Sequence, residues 1–350
     1  MNFESLCALE YMAVADRENV QTGLLAWLLG VHSPLSAPVR AEILGRLTGH
    51  NLPPVISTTA TTEDGNIDLV VTCHHEDGSR GCVAIENKLK SEESPGQLSS
   101  YDLRLATRHV HAKIFLSLLG ERPHGGTGWI SASYADLAEA LDAVSQEKSA
   151  CDPYLWDARE MLHRLIKAVS LVTTDPEYAR HVFPNSPKQP SPPEASFRKY
   201  VGTLRLRRVL QRAWCAHLGR SLGSLAPGWS TKTGTGARSA AAHLHVARVV
   251  GSGTDTFRVG LAVENLALKA FCHPSPYPKQ VSASQKEGVA ARLVQIHEVL
   301  HLDAKVTPSA SRKRGFRSYT LVDKSTELPD INMWTALLDD YYRQMESASW

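Results

Sequence analysis

Long hydrophobic runs are missing from this sequence. None of its 350 residues belongs to an apolar stretch of transmembrane length, which takes roughly eighteen residues or more, so a membrane is not among the expected partners. The opening Met1-Asn2-Phe3-Glu4-Ser5 lacks a basic region followed by an apolar core, and so does not read as a secretory leader. Cysteine is sparse: six residues, at 7, 73, 82, 151, 215 and 272, form no tight framework. Free thiols in a reducing cytoplasm are the expectation. A zinc site is not expected at Cys73-His74-His75 and Cys82, because adjacent histidines on a strand point to opposite sides, whereas structural zinc draws its ligands as close pairs. A large net charge is also lacking, at +2 for the whole chain.

That small total hides a division. Residues 1–182 carry 15 Lys+Arg against 24 Asp+Glu, a net −9, and the remainder carries 23 against 12, a net +11. Between them, the segment 183–193 holds five prolines in eleven residues, the composition of an extended and semi-rigid linker. The expected organisation is therefore an acidic α/β domain over 1–182, a linker over 183–194, and a basic α+β domain over 195–350. A basic half of this size suits attraction to a phosphate backbone.

In the acidic half, residues 82–89 (Cys-Val-Ala-Ile-Glu-Asn-Lys-Leu) read as a strand, preceded by turn chemistry at Asp77-Gly78. Alternation puts Ala84, Glu86 and Lys88 on one face, and Val83, Ile85, Asn87 and Leu89 on the other. A second strand-like run at 66–71 contains Asp68. Opposed residues on paired strands lie about 5 Å apart, so Asp68 and Glu86 can meet across the sheet. Two carboxylates that close repel unless a divalent cation lies between them. The bland counterpart is a surface hairpin with an ion pair worth at most about 1 kcal/mol. Pro95-Gly96 then opens a helix on which Gln97, Tyr101, Arg104 and Arg108 follow helical spacing as one polar stripe.

Asp68, Glu86-x-Lys88 and a following helix with Gln97 and Tyr101 together resemble the PD-(D/E)XK nuclease superfamily, in the branch with a Gln-x-x-x-Tyr helix, several of whose bacterial members are tied to phage defence. The resemblance covers roughly 1–145. Ile67 stands where the proline of the family name would be. What it implies is a restriction-endonuclease-like core and metal-dependent hydrolysis of phosphodiester bonds, with DNA favoured as substrate. Catalytic roles would fall to Asp68, Glu86, Lys88 and Gln97. Mg²⁺, with Mn²⁺ as a substitute, would be held by Glu18, Asp68, Glu86 and the carbonyl of Asn87, and Tyr101 and Arg104 would contact phosphate. The alternative is the same fold kept as a nucleic-acid-binding or assembly module without turnover. A homodimer or a defence partner protein is compatible with both.

The remaining elements follow from periodicity and turn residues. Helices are expected at 3–15, 18–30, 38–49, 134–144 and 153–173, with further strands at 55–62, 113–119 and, as a short edge, 129–132. The basic half should open with one amphipathic helix over 195–222 bearing Arg198, Lys199, Arg205, Arg207, Arg208 and Arg212. Strands at 243–250, 256–263, 266–272 and 318–322 and helices at 284–299 and 332–347 complete it. Arg205, Arg207 and Arg208, with the loop cluster Arg312-Lys313-Arg314, are the expected nucleic-acid contacts. Val263-Glu264-Asn265-Leu266 echoes the Glu86 strand but has neither the lysine nor an upstream acid.

Overall fold

A computed structural model describes residues 3, 10, 18–145, 152–184, 189–235, 241–253, 255–278, 280–309, 315–324 and 328–350. The expected helix at 3–15 and the basic cluster Arg312-Lys313-Arg314 lie outside the described residues. The chain is mixed α/β and falls into two compact units, one formed by 1–168 with 199–206, the other by 169–198 with 207–350. No helix among the described residues is long and apolar enough to cross a membrane.

The first unit is built on a five-stranded sheet. Its elements in chain order are α1 (Glu18–Leu29), α2 (Ala37–Thr48), β1 (Val55–Asp64), β2 (Ile67–His75), β3 (Arg80–Lys88), α3 (Gln97–Leu105), β4 (Val110–Ser117), β5 (Trp129–Ser133), α4 (Tyr134–Ser145) and α5 (Pro153–Thr174). The strands lie in sequence order, with β1–β2 and β2–β3 antiparallel and β3–β4 and β4–β5 parallel. Left-handed backbone at Glu63, Gly65 and Asn66 makes the tight β1–β2 turn. The β3–β4 pair, being parallel, needs a crossover, and α3 supplies it. That helix lays Leu98, Tyr101 and Leu105 over Ile67, Val70, Ala84 and Phe115. On the opposite face α1 and α4 meet β3 through side-chain hydrogen bonds. Both faces of β3 are thus covered, and every residue after Arg80 is buried.

The second unit holds the short α6 (Pro176–Ala179), α8 (Arg207–Ser221), β6 (Trp229–Thr235), β7 (Ala242–Val250), β8 (Phe257–Glu264), β9 (Ala267–Pro274), α9 (Ala283–Val299), β10 (Arg317–Asp323) and α10 (Ile331–Glu346), while α7 (Pro192–Thr203) is shared between the units. Its sheet is antiparallel throughout, ordered β10-β9-β8-β7-β6. Strand β6 had no counterpart in the sequence reading; its polar run Ser230-Thr231-Lys232-Thr233-Gly234 hides the pattern, and pairing with β7 supplies what propensity does not.

Two expectations about organisation change. The boundaries between the units fall at 168/169, 198/199 and 206/207, so the described residues of the proline-rich segment, 183–184 and 189–194, lie within the second unit and not between the two. Glu194 accepts from the Ser191 amide and lies 3.5 Å from both Arg180 and His181, and Gln211 donates to the Val182 carbonyl, so the described residues on either side are held to that unit. The single basic helix over 195–222 is two helices, α7 and α8, broken where Arg205 takes φ 52°. The break lets Leu204 and Leu206 both point inward, at 3% and 1% exposure, which a continuous helix could not do. Arg212, counted on the basic stripe, is buried; Arg205, Arg207 and Arg208 are exposed.

The core of the second unit contains an aromatic cluster whose members differ in one respect. Trp214 packs edge-on to Phe183 and Trp334, and its indole N–H donates to the Pro329 carbonyl at 3.0 Å. The Trp334 N–H is buried without a partner. Removing a buried donor strands its acceptor, whereas removing an unsatisfied donor strands nothing. Trp214→Phe should therefore destabilise the protein more than Trp334→Phe, by about 1–2 kcal/mol, in urea denaturation. Equal losses would show that ring volume alone governs the cluster.

Candidate active site

Strand β3 gathers the site because it pairs on both edges. Its register with β2 runs Leu69↔Ile85 and Val70↔Ala84, so Asp68 follows beside Glu86 at the end of the ladder. There the Asn87 amide donates to Asp68 Oδ2 at 2.8 Å. A side-chain carboxylate takes the hydrogen bond that a strand carbonyl would otherwise accept, which fixes the Asp68 rotamer next to Glu86.

Glu86 lies on the α3 face of the sheet, above Ala84, and is fully buried. This removes the surface-hairpin reading. One carboxylate oxygen, Oε1, is held twice: Lys88 Nζ lies 2.6 Å away and Gln97 Nε2 donates at 2.7 Å. The second oxygen, Oε2, is buried with no hydrogen-bond partner. Burial, then the neighbouring Asp68 charge, pushes the Glu86 carboxyl up to about 7, and the attraction of Lys88 does not offset them.

Gln97 begins α3 just after Gly96, whose φ of 77° turns the chain into the helix. Its amide oxygen accepts from the Ser94 amide at 3.2 Å, and its amide nitrogen donates to Glu86 and, at 2.7 Å, to Tyr101 Oη one turn along. Both N–H bonds of the side-chain amide are thereby engaged. Gln97 orients Glu86, and neither of its side-chain N–H bonds is left for water or phosphate.

The expected polar stripe on this helix is also corrected. Tyr101 is buried in the core beside Trp129, because its position one turn after Gln97 faces the sheet. Desolvation raises its phenol pKa, and its hydroxyl serves Gln97. Arg104 is exposed, with its guanidinium 6.0 Å from the Tyr101 ring and, in the hydrogen-bonded orientation of the amide, donating to Asn66 at 3.0 and 3.2 Å. Arg108 lies past the helix end and clamps Asp64 through two bonds of 2.6 and 2.9 Å.

Asn87 points to the other face. Its side chain donates to Thr22 Oγ1 on α1 at 3.2 Å and accepts from the Tyr134 hydroxyl on α4 at 2.7 Å. The sequence reading did not find Thr22 or Tyr134. The signal that could have found them is the buried asparagine itself, which demands polar partners from whatever packs on that face. Glu18 opens α1, one turn before Thr22; its side chain lies outside the described residues. Among the described residues no three His, Cys, Asp or Glu side chains gather to hold a metal ion. The histidines near Cys73 do form a contact: His75 and His111 bring their Nε2 atoms to 2.9 Å, and His75 Nδ1 meets the Pro54 carbonyl. Comparison of the chain with protein-family models, curated proteins and solved structures gives no match.

The elevated Glu86 pKa has a sign that stability measurements can read. A carboxyl whose folded pKa lies above its unfolded value favours the fold while protonated, and that contribution disappears as pH rises through the folded pKa. Without divalent cations, Glu86 should therefore cost stability between pH 5 and 8, by up to about 3 kcal/mol at the upper end. Glu86→Gln should flatten this part of the melting-temperature profile in EDTA and gain stability relative to the parent at pH 8. A parallel pair of profiles would show that Glu86 is ionised throughout.

Proposed function

We propose that the first unit is a metal-dependent nuclease with a PD-(D/E)XK core, hydrolysing phosphodiester bonds of nucleic acid, DNA favoured, in prokaryotic defence against phage. One observation carries this reading: at the end of β3 a buried carboxylate presents an unsatisfied oxygen beside a second carboxylate and a lysine. A structural ion pair does not need the second acid. The resemblance of Asp68, Glu86, Lys88, Gln97 and Tyr101 to the superfamily supports the same assignment.

The oxygen set suits Mg²⁺, or Mn²⁺ in its place, which is bound through one or two carboxylates and retains several waters. Asp68 and Glu86 would hold it, with the main-chain carbonyl of Asn87 and Glu18 as the further oxygens the resemblance implies. Such an ion lowers the pKa of a bound water and neutralises charge on the scissile phosphate. The chain's own residues prepare the place. Gln97 and Lys88 grip Glu86 Oε1 and leave Oε2 available, and the Asn87 amide fixes Asp68. Lys88, 8% exposed, sets a cation beside the carboxylates, where it can stabilise charge developing on phosphate oxygens. Tyr101 acts through Gln97 as a positioning residue.

The rival reading is a nuclease fold used for binding or assembly without turnover. It is favoured by the enclosure of Glu86, whose side chain is fully buried together with its free oxygen Oε2. Cleavage separates the two. Asp68→Asn and Glu86→Gln should each abolish Mg²⁺-dependent nicking of plasmid DNA while retaining the fold, and calorimetric titration with Mn²⁺ should show the binding lost with them. Metal-dependent cleavage that survives both substitutions defeats the site assignment.

Lys88→Ala should keep Mn²⁺ binding and lower the cleavage rate by roughly two to three orders of magnitude, as for loss of one preorganised transition-state donor. A change in substrate affinity with an unchanged single-turnover rate would make Lys88 a phosphate tether instead.

A further inference from the structure

Among the described residues the two sheets end in four edge strands, β1 and β5 in the first and β6 and β10 in the second. An edge strand offers unpaired main-chain N–H and C=O groups to any extended chain that reaches it, and short length, lysine and local irregularity are the usual means of blunting it. Three of the four edges carry such a device. β5 is only five residues long. β6 has Lys232 at its centre. β10 has a charge at each end, Arg317 and Asp323, and its register slips between Thr320 and Val322.

β1 differs from the other three. It has ten residues, and its run from Val55 to Thr62 (Val-Ile-Ser-Thr-Thr-Ala-Thr-Thr) contains no charge, proline or glycine. Its protection is confined to its start, where Pro53-Pro54 precedes it and the register with β2 slips between Val55 and Ser57. From Thr58 to Thr62 the pairing with β2 is regular. High β-propensity, low charge and the lack of proline mark a segment that readily pairs with another of its own kind.

The strand is anchored from within its own unit. α1 and α2 pack on it, Thr58 Oγ1 donates to the Leu29 carbonyl at 2.6 Å, and Gly30 lies against Ala60. The side chains along the edge nevertheless stay in water. Thr59, Thr61 and Thr62 are exposed. Ile56, where the register slips, is 58% exposed, and Val31, which follows Gly30, is 63% exposed. Two large aliphatic side chains thus stand uncovered at the β1 edge and at the chain that packs on it.

We infer that the free edge of β1 is a homodimer interface, at which the β1 strands of two copies pair antiparallel about a twofold axis at Thr59. Charge selects this arrangement. The acids of β1, Glu63 and Asp64, lie together at one end. In an antiparallel pair centred on Thr59 they fall near Pro54 and Val55 of the second copy, which carry no charge, whereas a parallel pair sets acid against acid. Thr59 then faces its own counterpart, and Ser57 of each copy faces Thr61 of the other, pairs of the kind that stabilise sheets. Each contact occurs twice, as an isologous interface requires. A foreign peptide would meet the same main-chain groups, but a row of threonines gives it little to be recognised by. The inference stands on the first unit alone and does not depend on the Glu86 site.

The test is sedimentation equilibrium of the full-length protein, which should show a reversible monomer–dimer equilibrium in the micromolar range, since the contact is small. Thr59→Lys sets two ammonium groups against each other at the axis. It should raise the dissociation constant about a hundredfold or more while keeping the circular dichroism of the parent. Val294→Lys, on the exposed side of α9, should leave the equilibrium unchanged. Thr59→Cys should give a bismaleimide-linked dimer on a denaturing gel beyond any cross-linking of the parent, and Leu103→Cys, exposed on α3, should not. The cross-link decides the matter if Thr59→Lys fails to fold. A parent that stays monomeric up to about 100 μM overturns the inference. So does a dimer that a folded Thr59→Lys leaves intact, or one that Thr59→Cys does not link.

Discussion

The first unit depends on a carboxylate that has been taken out of water. Glu86 is fully buried, and its ionised form is tolerable only because Lys88 and Gln97 converge on one of its oxygens. Everything nearby answers to that requirement. The crossover helix must begin at residue 97 to deliver an amide to Glu86, so Gly96 turns in left-handed backbone immediately before it. Tyr101 must be buried to hold Gln97 from behind. β4 must be parallel to β3, because only a crossover connection places a helix start over the strand end. The remaining oxygen is left unsatisfied, a cost that a purely structural residue would be free to avoid by substitution to an apolar side chain.

The two sheets are covered in different ways. In the first, helices cover both faces, and the titratable groups sit inside, where a low dielectric shifts their pKa values and strengthens each contact. In the second, helices cover one face, and the other buries Ala247, Ala262 and Phe271 with Phe316 packed against them. Burial acts on ionisable groups in both places, moving carboxyl and imidazole pKa values in opposite directions but favouring the neutral form of each. It raises the Glu86 carboxyl toward neutrality near pH 7, and it holds His245 and His273 neutral far below it.

Much of this was legible from residue order alone. Alternation through 82–89 gave the face shared by Ala84, Glu86 and Lys88, because the period of a strand is fixed by its backbone. The pairing of Asp68 with Glu86 followed from two short strands and an intervening turn. The burial of that face was not legible: a charged pair looks the same in sequence whether water or α3 lies above it. The break at Arg205 escaped notice because two leucines flanking an arginine fit a helix locally, and only the position of the core decides that both must point inward. The stacking of Phe271, His273, Phe316 and Tyr277 in the second unit was hidden for a related reason. Phe271 and His273 share one face of β9, but Phe316 and Tyr277 arrive from loops, whose course no periodicity encodes.

The end of β3 has a further consequence in its middle residue. Asn87 uses its backbone N–H to hold Asp68 on one side of the sheet and its side chain to join α1 and α4 on the other. Through it the two sides of the sheet are tied to one residue. Positions 86 to 88 therefore act as a hinge pin, not as three independent sites. The freedom to vary at any one of them is limited by partners on both sides of the sheet, while the exposed turn at 76–80, a few residues earlier on the same hairpin, bears no such constraint.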